Sequence, residues 1–299
     1  MNANRSLVYV IILNWNGWRD TLECLTSCQK IIYPNYRVLV VDNGSTDGSE
    51  AVIRERFPDV EMLQTGENLG FAGGCNSGIR YALDRQARYI WLLNNDTVVE
   101  PNALQALVSI MEADESIGMT GSKILYHDSP EVIWFAGGII DWQKGDTGHT
   151  GQGETDRGQY DHVREVDYIT GCSLMAGRGM IEEVGLMDEQ FFLYFEETDW
   201  CLRAGKLGYK SVYVPESVIY HKESATTGSR SPLYYYYFVR NRLVFLKMHK
   251  MFRNWPLRII KDLKLVLRIC LLEDRKRRKL SALVKAYSHF LKSQTGKRF

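Results

Sequence analysis

Three places in the chain carry residue types that could do chemistry together. The first is the end of "YIWLLNNDTVVEP", where an apolar run stops on Asn94, Asn95 and Asp96. An aspartate there offers a hard oxygen ligand to Mg2+ or Mn2+, ions that keep several waters and take few protein groups when they also hold phosphate. The same residues suit an ordinary strand-to-helix turn, and Pro101 suits the first position of a following helix. Taken alone, the stretch leaves both readings open. The second place is "FFLYFEETDWCLRAG", with Glu196, Glu197 and Asp199 at a helix start. The helix dipole favours carboxylates there in any protein, but a carboxylate can also take the proton of an attacking hydroxyl. The third is Asp42, closing "YRVLVVD", whose carboxylate can accept from the ring N–H of a pyrimidine or simply cap a turn.

The elements that must position these residues are legible from their periods. "LVYVIILN" is a continuous β-branched run, as expected of a strand buried on both faces. Trp18, Leu22, Leu25 and Ile32 then follow at helical spacing. "YRVLVVDNGSTDGS" repeats the theme, with a helix through about Arg56 capped by Ser45, Thr46 or Asp47. "VEMLQ" is a third strand, followed by a glycine-rich loop, "GENLGFAGGCNSG", leading into a helix near Ile79–Leu83. Its glycines permit close backbone approach to a ligand. The loop does not match G-x-G-x-x-G after a first strand, which disfavours a dinucleotide fold.

"YIWLL" is the fourth strand, before a helix over Pro101–Met111. Alternation of this kind predicts an α/β fold with a mostly parallel central sheet flanked by helices. Ligands of such sheets sit outside the carboxyl ends of the strands, where Asn14, Asp42, Asn68 and Asn94–Asp96 all fall. In the second half, "GMTGSKIL", "VIWFAGGII" and "VDYITGCSLMAG" read as strands. "RGMIEEVG" reads as a short helix closed by Gly185, and "KSVYVPESVIYH" as a last strand pair ending at His221. Gln143 to His162 is Gly-rich and polar and reads as a long loop, of the kind that serves as a lid or is simply disordered.

The 299 residues carry a net charge of +1, which by itself points to neither nucleic acid nor membrane. The average hides an asymmetry. Lys247 to Phe299 holds 16 Lys/Arg against Asp262, Glu273 and Asp274, or +13, leaving −12 on residues 1–246. A helix placed over Leu257–Leu272 puts Arg258, Lys261, Asp262, Lys264 and Arg268 on one arc. Ile259, Ile260, Leu263, Val266, Leu267, Cys270 and Leu271 fill the other. Such basic amphipathic helices lie on anionic membranes or pack their apolar face on the protein body, and no nucleic-acid-binding module is present. The six cysteines include no second pair at metal-ligand spacing, so reduced thiols in a cytoplasmic protein are expected. The N-terminal apolar run is too short for a signal peptide, and no segment reaches the length of a spanning helix.

"VIILNWNG", "VLVVDNGSTDGS", "NLGFAGGCNSG", "LLNND" and "GLMDEQFFLYFEETDWCLRAG", in this order, resemble the inverting glycosyltransferases of family 2, in particular the rhamnosyltransferase-like branch that builds cell-surface polysaccharide. The resemblance spans roughly residues 6–250. It implies a GT-A-type nucleotide-diphospho-sugar transferase fold over 1–250 and a basic helical extension over 251–299. It implies Asp96 and His221 as metal ligands for Mg2+ or Mn2+, and Asn14, Asp42, Asn68, Asn76, Asn94 and Arg240 around the nucleotide. Asn94 stands where relatives have an aspartate, one charge fewer. Glu197 falls on the catalytic base, with Glu196 and Asp199 as alternatives, and Asp167, Thr170 and Gly171 on the acceptor side. Arg240, in "YYYYFVRNR", would grip the donor diphosphate as a bidentate guanidinium or belong to a packed aromatic helix.

The implied reaction moves a sugar, best rhamnose from dTDP-rhamnose, to a hydroxyl of a lipid-linked or growing glycan. This would take place at the inner face of the cell membrane, with the tail on anionic lipid. UDP-galactose or UDP-GlcNAc as donor, or an inactive nucleotide-sugar-binding homologue in an assembly complex, are the rival readings.

Overall fold

The computed structural model describes residues 5–142, 146–222, 231–251 and 255–299. Its core is one sheet. Strands β1 (Val8–Asn14), β2 (Tyr36–Asp42), β3 (Glu61–Gln64) and β4 (Tyr89–Asn94) pair in parallel, in the order β4-β1-β2-β3. Helices α1 (Trp18–Cys28), α2 (Ser49–Arg56), α3 (Gly70–Asp84) and α4 (Ala103–Ala113) connect and flank these strands. On the other side of β4 lie β11 (Ser173–Gly177), β6 (Ile117–Tyr126) and β12 (Lys210–His221). β11 runs antiparallel to both its neighbours, and β6 and β12 run parallel to each other. β12 is one strand with a register shift between Val214 and Val218, where a strand pair is expected from the sequence.

The remaining elements decorate this sheet. β7 (Ser129–Phe135) pairs with β6, and β10 (Arg164–Glu165) with β12. β8 (Gly138–Asp141) and β9 (Asp146–His149) make a separate two-stranded ribbon. "VIWFAGGII" is thus two strands, divided at Gly137, whose φ of 108° breaks the run. The region read as a long loop is structured over its described part. β9 lies in it, Gly153 N–H and Ile133 N–H exchange bonds with the carbonyls of Ile133 and Glu154, and Lys123 pairs with Asp156 and Asp161. Residues 143–145 lie outside the described residues.

The glycine-rich segment departs most from its expected form. Gly70–Asp84 is helical throughout, although glycine is about 1 kcal/mol poorer than alanine in a helix. The reason is packing: a Cβ on Gly78 would stand 2.7 Å from Ile11 Cγ2 and 2.9 Å from Val41 Cγ2. Bare helix backbone therefore lies directly on β1 and β2, and burial outweighs propensity. α4 likewise begins at Ala103, two residues after Pro101.

At the C-terminal end, α5 (Arg178–Val184) and α6 (Glu196–Lys206) precede β12. Next comes α7 (Pro232–Met248), N-capped by Ser231, whose Oγ accepts from Tyr234 N–H. α8 (Trp255–Leu272) and α9 (Lys276–Leu291) follow, and α9 packs Ala282, Leu283 and Ala286 against the tyrosines of α7.

Gly78→Ala is expected to lower the denaturation midpoint, because overpacking between two fully buried β-branched residues costs about 1–3 kcal/mol against a propensity gain of about 1. Gly205→Ala, in α6 with nothing within 4 Å of its added Cβ, is expected to raise it.

Candidate active site

The sheet delivers its polar residues to one edge. Asn14 and Asp42 end neighbouring strands in register, and Asn14 Nδ2 donates to Asp42 Oδ2 at 3.0 Å and to Ser45 Oγ at 3.1 Å. Ser45 N–H donates to Asp42 Oδ1 at 2.8 Å. Asp42 is buried, and each of its oxygens keeps a further lone pair. Asn43, which sequence reasoning passed over, organises the next loop: it accepts from Leu69 N–H and donates to Gly70 O and Asn68 Oδ1. Gly44 makes this possible, since a Cβ there would meet Glu67 backbone at 2.5 Å. Asn68 in turn accepts from Gly70 N–H at 2.8 Å.

Asp96 and His221 meet because β5 (Thr97–Val99) pairs antiparallel with the end of β12, Thr97 opposite His221. His221 Nε2 stands 3.2 Å from Asp96 Oδ1, and that buried oxygen has no hydrogen-bond partner among the described residues. Cis ligands of an octahedral ion with bonds of 2.0–2.1 Å lie about 3 Å apart, so the pair fits two positions of one divalent cation. No group of three or more His, Cys, Asp or Glu placed to hold a metal is found among the described residues, so an ion held by this pair would be completed by phosphate and water. Asn94 is half-buried beside the pair, with its N–H donating to Cys172 O and its own carbonyl accepting from Thr97 Oγ1.

The carboxylates at the start of α6 divide cleanly. Asp199 is fully buried between Arg203 Nε at 2.7 Å and His249 Nε2 at 2.9 Å. It is a structural anchor with no face open to substrate. Glu196 and Glu197 each keep one buried oxygen without a partner. Burial, together with the neighbouring Glu197 charge, pushes Glu196 well above the usual carboxylate range. Burial also raises Glu197, but backbone N–H groups of Glu197, Thr198 and Gly171 bond its carboxylate and oppose the shift. Of the two, Glu196 is the one that keeps its proton and Glu197 the one that ionises first.

The acceptor-side residues join the two halves. Gly171 N–H bonds Glu197, while the adjacent Cys172 lies against His221 and bonds Asn94 N–H. Thr170 is buried in the same turn, its Oγ1 accepting from Cys172 N–H at 3.4 Å. Asp167 is turned away, accepting from Ile140 N–H at 2.7 Å and so holding the β8–β9 ribbon. Two residues that the sequence did not single out border His221. The Trp134 ring lies edge-on to both His221 and His149, each at 4.6 Å. Burial pushes His149 down to about 4, leaving it neutral at ordinary pH.

Asn76 and Arg240, expected at the nucleotide, are engaged in bonds within the protein. Asn76 pins α3 to the 187–189 segment through Met187 N–H, Met187 O and Glu189. Arg240 is fully buried and donates to backbone carbonyls, to Phe191 O at 3.0 Å and Gly296 O at 2.6 Å. Its neighbour Asn241 donates to Phe191 O, Leu193 O and Tyr194 O. Together they hold the turn in which Phe192, Tyr194 and Phe195 adopt φ of 66°, 70° and 76°. Such left-handed conformations are strained for aromatic residues. That turn leads directly into Glu196 and Glu197. A phosphate-binding arginine and a carbonyl-binding one have the same sequence signature, which is why the sequence could not separate them.

These features define a glycosyltransferase with the GT-A architecture. The chain belongs to glycosyl transferase family 2, whose family model matches residues 9–176. Among curated relatives, it is 29% identical over 208 residues to the N-acetylglucosaminyl-diphospho-decaprenol L-rhamnosyltransferase of Mycobacterium tuberculosis, covering 64% of this chain and 68% of the relative. It is 26% identical over 258 residues to the dTDP-rhamnosyl transferase RfbF of Shigella flexneri, covering 83% and 81%. Among solved structures, the mannosyltransferase PcManGT from Pyrobaculum calidifontis, in complex with GDP-Man and Mn2+, superposes with a TM-score of 0.63 at 15% identity, over 98% of this chain and 89% of that one. GalNAc-T7 with UDP, GalNAc and Mn2+ gives 0.65 at 17% identity over 82% of this chain, which spans about half (48%) of that one.

Asn241→Ala is expected to destabilise the fold by about 2–3 kcal/mol, since it strands buried carbonyls, and to lower kcat in the protein that remains folded. Arg240→Lys is expected to lower the unfolding midpoint while leaving KM for the donor unchanged; a raised donor KM at unchanged stability would return Arg240 to the diphosphate.

Proposed function

We propose that the protein is a metal-assisted inverting rhamnosyltransferase, moving rhamnose from dTDP-rhamnose to a hydroxyl of a lipid-linked or growing cell-surface glycan. The observation that carries the reaction type is the turn at residues 170–172, with Glu197 bonded to Gly171 on one side and the Asp96–His221 pair against Cys172 on the other. The rhamnose assignment is supported by the names of the two relatives above, and the divalent cation by the Mn2+ in both solved structures.

Asp42, Asn14 and Asn68 bind the nucleotide end of the donor. Asp96 and His221 hold the cation, with Asn94 beside them as a neutral oxygen donor. A Mg2+ or Mn2+ ion held there would supply positive charge to offset that of the diphosphate. Glu197 accepts the proton of the acceptor hydroxyl as its oxygen attacks the anomeric carbon from the face opposite the diphosphate, and one such displacement inverts the configuration. Glu196, kept neutral by burial, leaves Glu197 the only charge of the pair. Among the described residues no helix is long and apolar enough to cross a membrane. The reading puts the enzyme peripherally at the inner membrane face, with its basic C-terminal extension, +13 over residues 247–299, on anionic lipid.

The test is release of nucleoside diphosphate from dTDP-rhamnose, UDP-galactose and UDP-GlcNAc with Mg2+ or Mn2+, using membrane extract as acceptor. Release from dTDP-rhamnose alone is expected, and no release from any donor would end the enzyme reading. Glu197→Gln is expected to lower turnover by about 100-fold or more, the usual worth of a general base. Glu196→Gln, which imitates the protonated acid, should remain within a few-fold of the native rate. Because burial raises Glu197, the acid limb of kcat/KM is expected above pH 4.5, with activity falling as pH drops through it and Glu197 takes up its proton. Asp96→Asn should weaken Mn2+ binding, read directly by calorimetry, as well as turnover.

A further inference from the structure

α8 does not pack its apolar stripe on the body. Its inward face is Asp262, Leu265 and Ile269, with Glu273 just past its end: Asp262 pairs with Arg242 and Tyr287, Ile269 is fully buried in the α7–α9 cluster, and Glu273 accepts from Tyr235 and Lys279. The outward face carries Leu263, Leu267 and Leu271, 63%, 57% and 67% exposed, in line with Ile260. Exposed Lys261, Lys264 and Arg268 border that stripe, and Arg275 to Arg278 add four exposed cations at the turn into α9. The helix is thus apolar on its outward side as well as on the side that buries Leu265 and Ile269, which leaves a second apolar stripe without cover from the body.

A second element shares this surface. Lys261 Nζ lies 2.5 Å from Asp146 Oδ1, which brings the β8–β9 ribbon beside α8. The ribbon exposes Ile139 and Trp142, 53% and 55%. Its inner side is held by Asp167 and Tyr168, whose hydroxyl donates to Gly148 O. The ribbon is therefore attached to the segment that runs on into Thr170 and Gly171 of the site.

We infer that the outward face of α8 and the β8–β9 ribbon form one docking surface for an anionic lipid bilayer, with the acceptor side of the active site opening beside it. Charge complementarity selects this occupant. An apolar stripe edged by cations, with every acid of α8 turned inward, matches acyl chains beneath anionic headgroups, and a tryptophan at its margin suits the interfacial layer. The inference rests on the reading that the acceptor is lipid-linked, since a membrane-seated ribbon would receive such an acceptor without lifting it into water.

The test is co-sedimentation of the full chain with phosphatidylglycerol and with phosphatidylcholine vesicles at several salt concentrations, alongside its mass in solution by light scattering. Binding to the anionic vesicles that weakens with salt is expected. The double variant Leu263→Asp/Leu267→Asp should lose about tenfold or more per residue, with an unchanged unfolding midpoint and unchanged donor hydrolysis in detergent. Trp142→Asp should lose binding independently. Full retention of vesicle binding by the double variant, no binding by the native chain, or a dimer that the double variant dissolves would each overturn the inference. Vesicle binding without nucleotide release from any donor would keep the docking surface while ending the transferase reading, so the two fail separately.

Discussion

The two N–H bonds of one amide, Asn241 Nδ2, shared among the carbonyls of Phe191, Leu193 and Tyr194, hold the conformation on which the site turns. Without them a run containing three aromatic residues at positive φ would relax toward ordinary backbone, and the two carboxylates immediately beyond it would move with it. Arg240 adds its own bond to Phe191 O. From the far side Phe71 N–H donates to Phe192 O at 2.6 Å, tying the start of α3 to the same turn. The start of α3, the start of α6 and the C-terminal helices thus share one piece of strained backbone. Strain of this kind persists only where surrounding bonds over-determine it, and here they come from three separate parts of the chain.

The Glu196–Glu197 pair shows why such fixing matters. Two adjacent buried carboxylates cannot both be charged cheaply. Which one ionises depends on which receives more N–H donors, and Glu197 receives those of Thr198 and Gly171 as well as its own. A small rotation of the turn would redistribute those donors. Position and protonation are therefore set by the same geometry.

Much of this was legible beforehand. Parallel strands buried on both faces read as unbroken β-branched runs, so β1, β2 and β4 and the polar residues at their ends stood out, as did the carboxylates after the aromatic run. The meeting of Asp96 with His221 was implied only by the family resemblance and not by the residues themselves, because it depends on β5, three residues long, pairing with a strand more than a hundred residues away. The glycine-rich helix was hidden because its stability comes from contact with Ile11 and Val41 rather than from its own sequence. The apolar stripe of α8 was visible, but periodicity carries no sign saying which side faces the body. That sign came from Asp262 and Glu273, two acids that find partners inside.

The C-terminus is more than an appendage to this arrangement. Gly296 N–H donates to Gln190 O at 2.7 Å, and Gly296 O accepts from Arg240. The last residues therefore close the same turn that Asn241 holds. Removing the extension would take away a strut of the catalytic turn along with any lipid-binding surface, and loss of activity in a truncated chain would not distinguish the two. Substitutions on the outward face of α8 leave Gly296, Arg240 and the α7–α9 packing in place, so they separate attachment from catalysis. The same connection gives a bilayer-seated α8 a physical route to Glu196 and Glu197, through α9 and Gly296 to the turn at 190–195.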